Sequence, residues 1–306
     1  MSTVELAGAD ARSTTAQTST DQSGPGRLGR GRGRSGRPST VRSFFTPGTI
    51  IAAVILGVTI IWALVPGLFT GHDPVDGGDT AALLGPSAEH WFGTDQIGRD
   101  VYSRVVHGAS RSLLAALIAV GVGLVVGSAI GLIAGSRGGW VGEVLMRIVD
   151  VLLSIPALLL SLTIVIVLGF GIVNVAIAVG ITAIAQFARL SRSQAVTIMQ
   201  ADYVQAAYGS GGTYWSVLLR HVVPNAVSSV LALAVLQVGS AILQISTLGF
   251  LGYGAPAPTP EWGLIIAEGR NFVATAWWLT VLPGLIVMAV VVSTHRLGTA
   301  LRKAAE

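Results

Sequence analysis

Five stretches of this chain run for 25 residues or more without an Asp, Glu, Lys or Arg: 43–71, 112–136, 151–188, 221–260 and 271–295. A bilayer-crossing helix needs about 20 mostly apolar residues, because the hydrocarbon offers no water to stray backbone groups. Strands of a membrane barrel are roughly half that length and alternate in polarity, so runs this long predict helices. The third run exceeds one span and contains Gly169-Phe170-Gly171 with Asn174 just beyond. It reads as two helices around a tight turn. Six spans are expected, roughly 48–70, 112–135, 144–168, 173–195, 225–248 and 275–295. The expected fold class is therefore an all-α integral membrane protein. The charged fraction agrees: 11%, against roughly 25% in a soluble domain. The absence of Cys rules out a disulfide scaffold, thiolate catalysis and Cys-ligated metal. A hydrophilic leader of 42 residues and the length of the first run argue against a secretory signal peptide.

The charges sort the segments by side. With both termini in the cytoplasm, that side receives 15 of the 19 Lys and Arg, and the net charge is +8 inside and −4 outside. Basic residues facing inward are the expected orientation. Trp91, Trp262, Trp277 and Trp278 would then lie near the outer interface and Trp140 near the inner one. The plan is a disordered basic cytoplasmic tail over 1–42, a first transmembrane helix within 43–71 and an outer loop with a short helix over 72–111. A transmembrane core over 112–297 holds an inner loop at 202–220, and a cytoplasmic tail covers 298–306. The tail carries seven Arg among Gly and Ser, with no aromatic side chain between them to stack on bases. It is expected to touch anionic lipid rather than nucleic acid. Asp100 is a candidate N-cap for the short helix that follows it.

The inner loop is the candidate functional element. Gly211-Gly212 should break a helix that contains Asp202, Gln205, Ala206 and Ala207. Thr213 should cap a second short helix carrying Tyr214, Trp215, Val217, Leu218 and Arg220. Pro224 then suits the first turn of the fifth span. Tyr214 and Trp215 presented to the cytosol imply either a docking partner or an interfacial helix on lipid. The order Gln205-Ala206-Ala207, Gly211, Pro224 resembles the cytoplasmic loop of ABC-importer permeases, which reads Glu-Ala-Ala, three residues, Gly, with Pro thirteen further on. Gln205 stands where that family has Glu, and Val223 where it has Leu.

The resemblance extends further. His90-Trp91-Phe92-Gly93-Thr94-Asp95-Gln96-Ile97-Gly98-Arg99-Asp100 is similar to the outer-loop motif of the second, or C-type, permease of dipeptide and oligopeptide importers. So are the segment 150–158, the stretch 220–225, and a second outer loop with Pro258, Trp262, Gly263, Glu268 and Arg270. The resemblance implies a type I ABC-importer permease fold with cytoplasmic termini in a bacterial cytoplasmic membrane. It implies a homologous permease partner, two ATPase domains or subunits, an extracytoplasmic substrate-binding protein and a peptide substrate. A nickel or nickel-chelate importer shares these motifs and is the nearest alternative. A stand-alone secondary transporter and a membrane scaffold are the other classes.

Several chemistries are missing. No phosphate cradle of the Gly-x-x-x-x-Gly-Lys-Ser/Thr type occurs, and Lys303 is the only lysine. No enzyme activity and no cofactor is expected in this chain; ATP and Mg would belong to partner ATPases. The histidines at 72, 90, 107, 221 and 295 lie in scattered segments, which argues against a metal site. Spans nearly free of ionisable residues argue against ion-driven transport. Asp150 is expected to pair locally with Arg147. Gly123, Gly127, Gly131 and Gly135 form a four-residue repeat suited to close helix packing, within the subunit or against a partner. Pro156 and Pro283 are candidate kink points.

Overall fold

The computed structural model describes residues 46–305. The basic tail expected over 1–42 lies outside the described residues. Helices account for nearly all regular structure, and the described residues hold only an isolated bridge between Thr94 and Asp100 in place of a sheet. Among the described residues five helices are long and apolar enough to cross a membrane, and a bent pair makes six if it counts as one span.

Helix α1 spans Pro47–Leu64. It ends six residues before the expected limit because Pro66 follows: proline has no N–H to donate and disfavours helical geometry in the residue before it. Val65 accordingly turns out of the helix, and Pro66–Leu68 forms a single 3-10 turn. Outward-facing Ile50, Ile51, Val54, Ile60 and Ile61 give α1 an apolar exterior suited to lipid.

Helix α2 runs without interruption over Val101–Arg137. The short helix expected after Asp100 is therefore its first turns, not a separate element. Asp100 is the N-cap, its Oδ1 accepting from the Ser103 N–H at 2.6 Å. A π-helical stretch, Gly123–Gly127, lies within the glycine repeat. That repeat faces α5, Ile172–Met199. A Cβ on Gly127 would run into the Ile184 carbonyl and Phe187, and one on Gly131 into the Ala188 carbonyl and Ser191. The ridge thus serves packing inside the subunit, where backbone meets backbone.

The expected third span is two helices, α3 (Gly139–Ser154) and α4 (Ala157–Leu168), bent by 96° at Ile155-Pro156. Pro156 is the cause, since it takes the N-cap position of α4 and cannot donate a helical bond. The turn after α4 forms as expected: Gly169 and Gly171 adopt φ of 91° and 128°. The Asn174 amide donates to the carbonyls of Leu168 and Gly169 at 3.1 and 3.2 Å. Asp150 pairs with Arg189 of α5 at 3.0 Å, across helices, and Arg147 makes no ion pair among the described residues.

Helix α6 covers Asp202–Gly209. The second short helix of the loop does not stand alone. It is the start of α7, Tyr214–Phe250. A π-helical turn at Leu218–Val222 precedes Pro224 and absorbs the backbone bond that proline cannot make. Helix α8 spans Trp262–Gly269. Helix α9, Trp278–Ala305, continues through most of the segment expected to be a tail. Helix α5 is central and touches α2, α3, α4 and α7, while α9 joins α7 to α1. The main core draws on Val105, Ala116, Val179, Phe187, Ile245 and Trp262.

Candidate functional site

Two sets of residues at opposite ends of the bundle carry the sequence motifs. At one end, α6, the turn and the start of α7 form a helix–turn–helix. Asp202 sits in the first turn of α6, where a carboxylate complements the exposed N–H groups. Gln205 donates to the Met199 carbonyl at 2.8 Å and ties α6 to the end of α5. Gly211 has φ of 92°, a left-handed conformation that other residues adopt only under strain. The N–H groups of Gly211 and Gly212 donate to the carbonyls of Tyr208 and Ala207, each at 3.0 Å, and close α6. Thr213 occupies the cap position of α7, but its hydroxyl makes no capping bond.

The aromatic pair divides its labour. Trp215 is 55% exposed, whereas the Tyr214 hydroxyl bonds Ser136 Oγ at 2.7 Å and its ring lies 4.9 Å from the Arg137 guanidinium carbon. Tyr214 is thus an anchor of the loop to α2, not part of a presented surface. Val217 and Leu218, expected beside Trp215 on that surface, are buried, Leu218 against Ala195 and Val222. The exposed apolar residues are instead Tyr203, Trp215 and Leu219, with exposed Arg220 adjoining. Ala206 and Pro224 are also exposed, and Ala207 is half-buried. Tyr203 and Leu219 carry no motif.

At the other end the two loop motifs meet. Thr94 donates to the Ala81 carbonyl and accepts from the Leu84 N–H, both at 2.8 Å. Gly93 and Gly98, with φ of 72° and 83°, let this loop fold back on itself. Asp95 Oδ2 receives Arg99 Nε at 2.6 Å and Arg104 Nη1 at 2.8 Å. Glu268 of α8 receives the same two arginines at 3.2 and 2.5 Å. Asp95, Arg99 and Arg104 are almost fully buried. Arg104 is the member that motif reading missed, lying four residues past Asp100 in the first turns of α2.

Trp262 is buried, and its Nε1 donates to the Val105 carbonyl at 3.0 Å. It belongs to the core and not to an interfacial belt. Beside it, buried Glu261 caps α8 by accepting from the N–H groups of Gly263 and Leu264 at 2.8 and 3.0 Å. Burial pushes its carboxyl up to about 7 against the opposing pull of those two hydrogen bonds. Gly263 packs on Ser246, while Pro258 and Arg270 are exposed and stand apart from the ion cluster. Trp91 is exposed and packs on Tyr102 at 5.0 Å between ring centroids.

An apolar exterior and glycine-packed helices of membrane-crossing length define a multi-pass membrane protein. Residues 127–305 match the model of the family described as binding-protein-dependent transport system inner membrane component, and the chain belongs to that family. A probable D,D-dipeptide transport system permease protein of Escherichia coli is 39% identical over 257 residues, covering 84% of this chain and 86% of its own. A dipeptide transport system permease protein of Alkalihalophilus pseudofirmus is 38% identical, covering 83% and 84%. A glutathione transport system permease protein of Pectobacterium atrosepticum is 39% identical, covering 72% and 73%. The chain is accordingly a membrane permease and not itself an enzyme.

Proposed function

We propose that this chain is one permease subunit of an ATP-driven importer of di- or oligopeptides. It pairs with a homologous permease, the pair carries two ATPase domains on its cytoplasmic side, this chain docks an ATPase domain through the face of α6 and the start of α7, and substrate arrives from an extracytoplasmic binding protein. ATP and Mg reside on the ATPase partners. The basic ends, including Arg137, Arg192, Arg220 and Arg296, face the cytoplasm, in line with the inward bias of Lys and Arg.

The observation that carries this reading is the exposed Tyr203, Trp215 and Leu219 on a loop that Tyr214 fastens to α2. A loose loop would dissipate a partner's motion. One hydrogen-bonded to α2 and continuous with α7 passes that motion to two crossings, which can then alternate access. The relatives named for dipeptides and glutathione support the substrate class.

The test uses the assembled complex in proteoliposomes with labelled dipeptide. Uptake should require ATP and the binding protein, and a cysteine placed at Trp215 should cross-link to the ATPase subunit. Uptake by this chain alone on an ion gradient, or labelled nickel transported in place of peptide, would overturn the proposal.

A further inference from the structure

The histidines that lie far apart in sequence do not all stay apart. His72, just beyond α1, and His90, in the loop before α2, bring their rings to 5.1 Å between centroids. One ligand-competent atom from each of His72, His90 and Asp100 lies within 4.8 Å of the other two. His72 and Asp100 border a cavity of about 200 Å³ that Glu89 and Trp91 also line.

Each member is held by the chain around it. Asp100 is buried and uses one oxygen to cap α2 and the other to meet His90 Nδ1 at 2.8 Å. The His90 N–H donates to Ser87 Oγ at 3.0 Å. The Ser103 hydroxyl donates to the His72 carbonyl at 2.7 Å, so the residue capped by Asp100 also fixes the main chain of His72. The His72 side chain is exposed and makes no hydrogen bond among the described residues.

Two imidazoles and a buried carboxylate, with space for one more ligand, form an N/N/O donor set. Zinc sites of three protein ligands plus water have this composition, and imidazole also suits copper and nickel, whereas calcium and magnesium demand oxygen. Tetrahedral ligand atoms stand about 3.3 Å apart, so closure needs a swing of the free His72 ring inward and a slight widening of the 2.8 Å His90–Asp100 contact. We propose that His72, His90 and Asp100 bind a divalent transition-metal ion, with water from the cavity in the fourth position. The ion takes the place of the hydrogen between His90 and Asp100. It fastens the segment after α1 to the start of α2. This site does not depend on what the protein transports.

The experiment uses full-length, tag-free protein in nanodiscs, stripped with chelator and titrated with Zn²⁺ by calorimetry and with Co²⁺ by visible absorption. The expected result is one ion per chain, a tetrahedral cobalt spectrum and a rise in melting temperature with zinc. His72→Ala should weaken zinc binding roughly tenfold or more. It should also abolish the zinc-induced rise while leaving the metal-free melting temperature unchanged, because only the main chain of His72 is used in the fold. Asp100→Asn, which retains the cap, should weaken binding comparably. Absence of binding by the unmodified chain, or equal binding by His72→Ala, would overturn the proposal.

Discussion

Arg104 of α2 and Glu268 of α8 are 164 residues apart in sequence, and their side chains meet at 2.5 Å at the end of the bundle opposite the exposed loop. Asp95 and Arg99 complete the cluster, so a group of four charges, three of them buried and Glu268 partly so, ties a loop and two helices together. Removing one partner leaves the others uncompensated in a low dielectric. Arg104→Ala should therefore destabilise the protein by about 3–5 kcal/mol. Calorimetric or fluorescence melting in detergent checks this, and a loss under 1 kcal/mol would mean that water reaches the cluster.

Glu261 is held protonated by burial up to about pH 7, against an ordinary value of 4.5. Between those values the native state binds more protons than the unfolded state, so this group makes stability fall as pH rises. Its contribution is fully present below about 4.5 and lost as pH climbs through about 7. The difference in unfolding free energy between the natural chain and Glu261→Gln, followed across that window, should decline with pH. A flat difference would show that the carboxyl ionises freely.

Close packing of α2 on α5 predicts a contrast between glycines. Gly131→Ala should cost roughly 1–3 kcal/mol, since its methyl group meets the Ala188 carbonyl. Gly121→Ala has open space around it and should be neutral or slightly stabilising. Melting temperatures of the two variants, measured side by side, give the comparison.

At the exposed loop, Trp215→Ala should leave the unfolding free energy within about 0.5 kcal/mol of the natural chain yet abolish peptide uptake. Gly211→Pro should fail on both counts, because proline cannot adopt φ of 92°. Normal uptake by the Trp215 variant would remove the loop from the coupling route.

Exposed pairs are weaker. Asp150 and Arg189 are each more than half exposed, so Asp150→Ala should change stability by no more than about 1 kcal/mol. A larger loss would place the pair inside an interface with another subunit.

The crossings, the Gly169–Gly171 turn, the Asp100 cap and the break at Gly211 were legible in the chain itself. Each arises from rules acting within a few residues: apolar length, missing N–H groups, allowed φ and a carboxylate beside free N–H groups. Local reading failed where distant segments share a site. Trp262 reads as interfacial and is core, Asp150 pairs with Arg189 over nearby Arg147, and Tyr214 turns inward to Ser136. The joining of the short loop helix to α7 depended on a π-helical turn accommodating Pro224, which no spacing announces. Sequence alone determined that the protein is a bundle of membrane-crossing helices, because the bilayer constrains every apolar run separately. Only the tertiary structure decided which charges pair, which aromatic residues face outward and that His72 meets His90, because those outcomes depend on how helices far apart in the chain are set against one another.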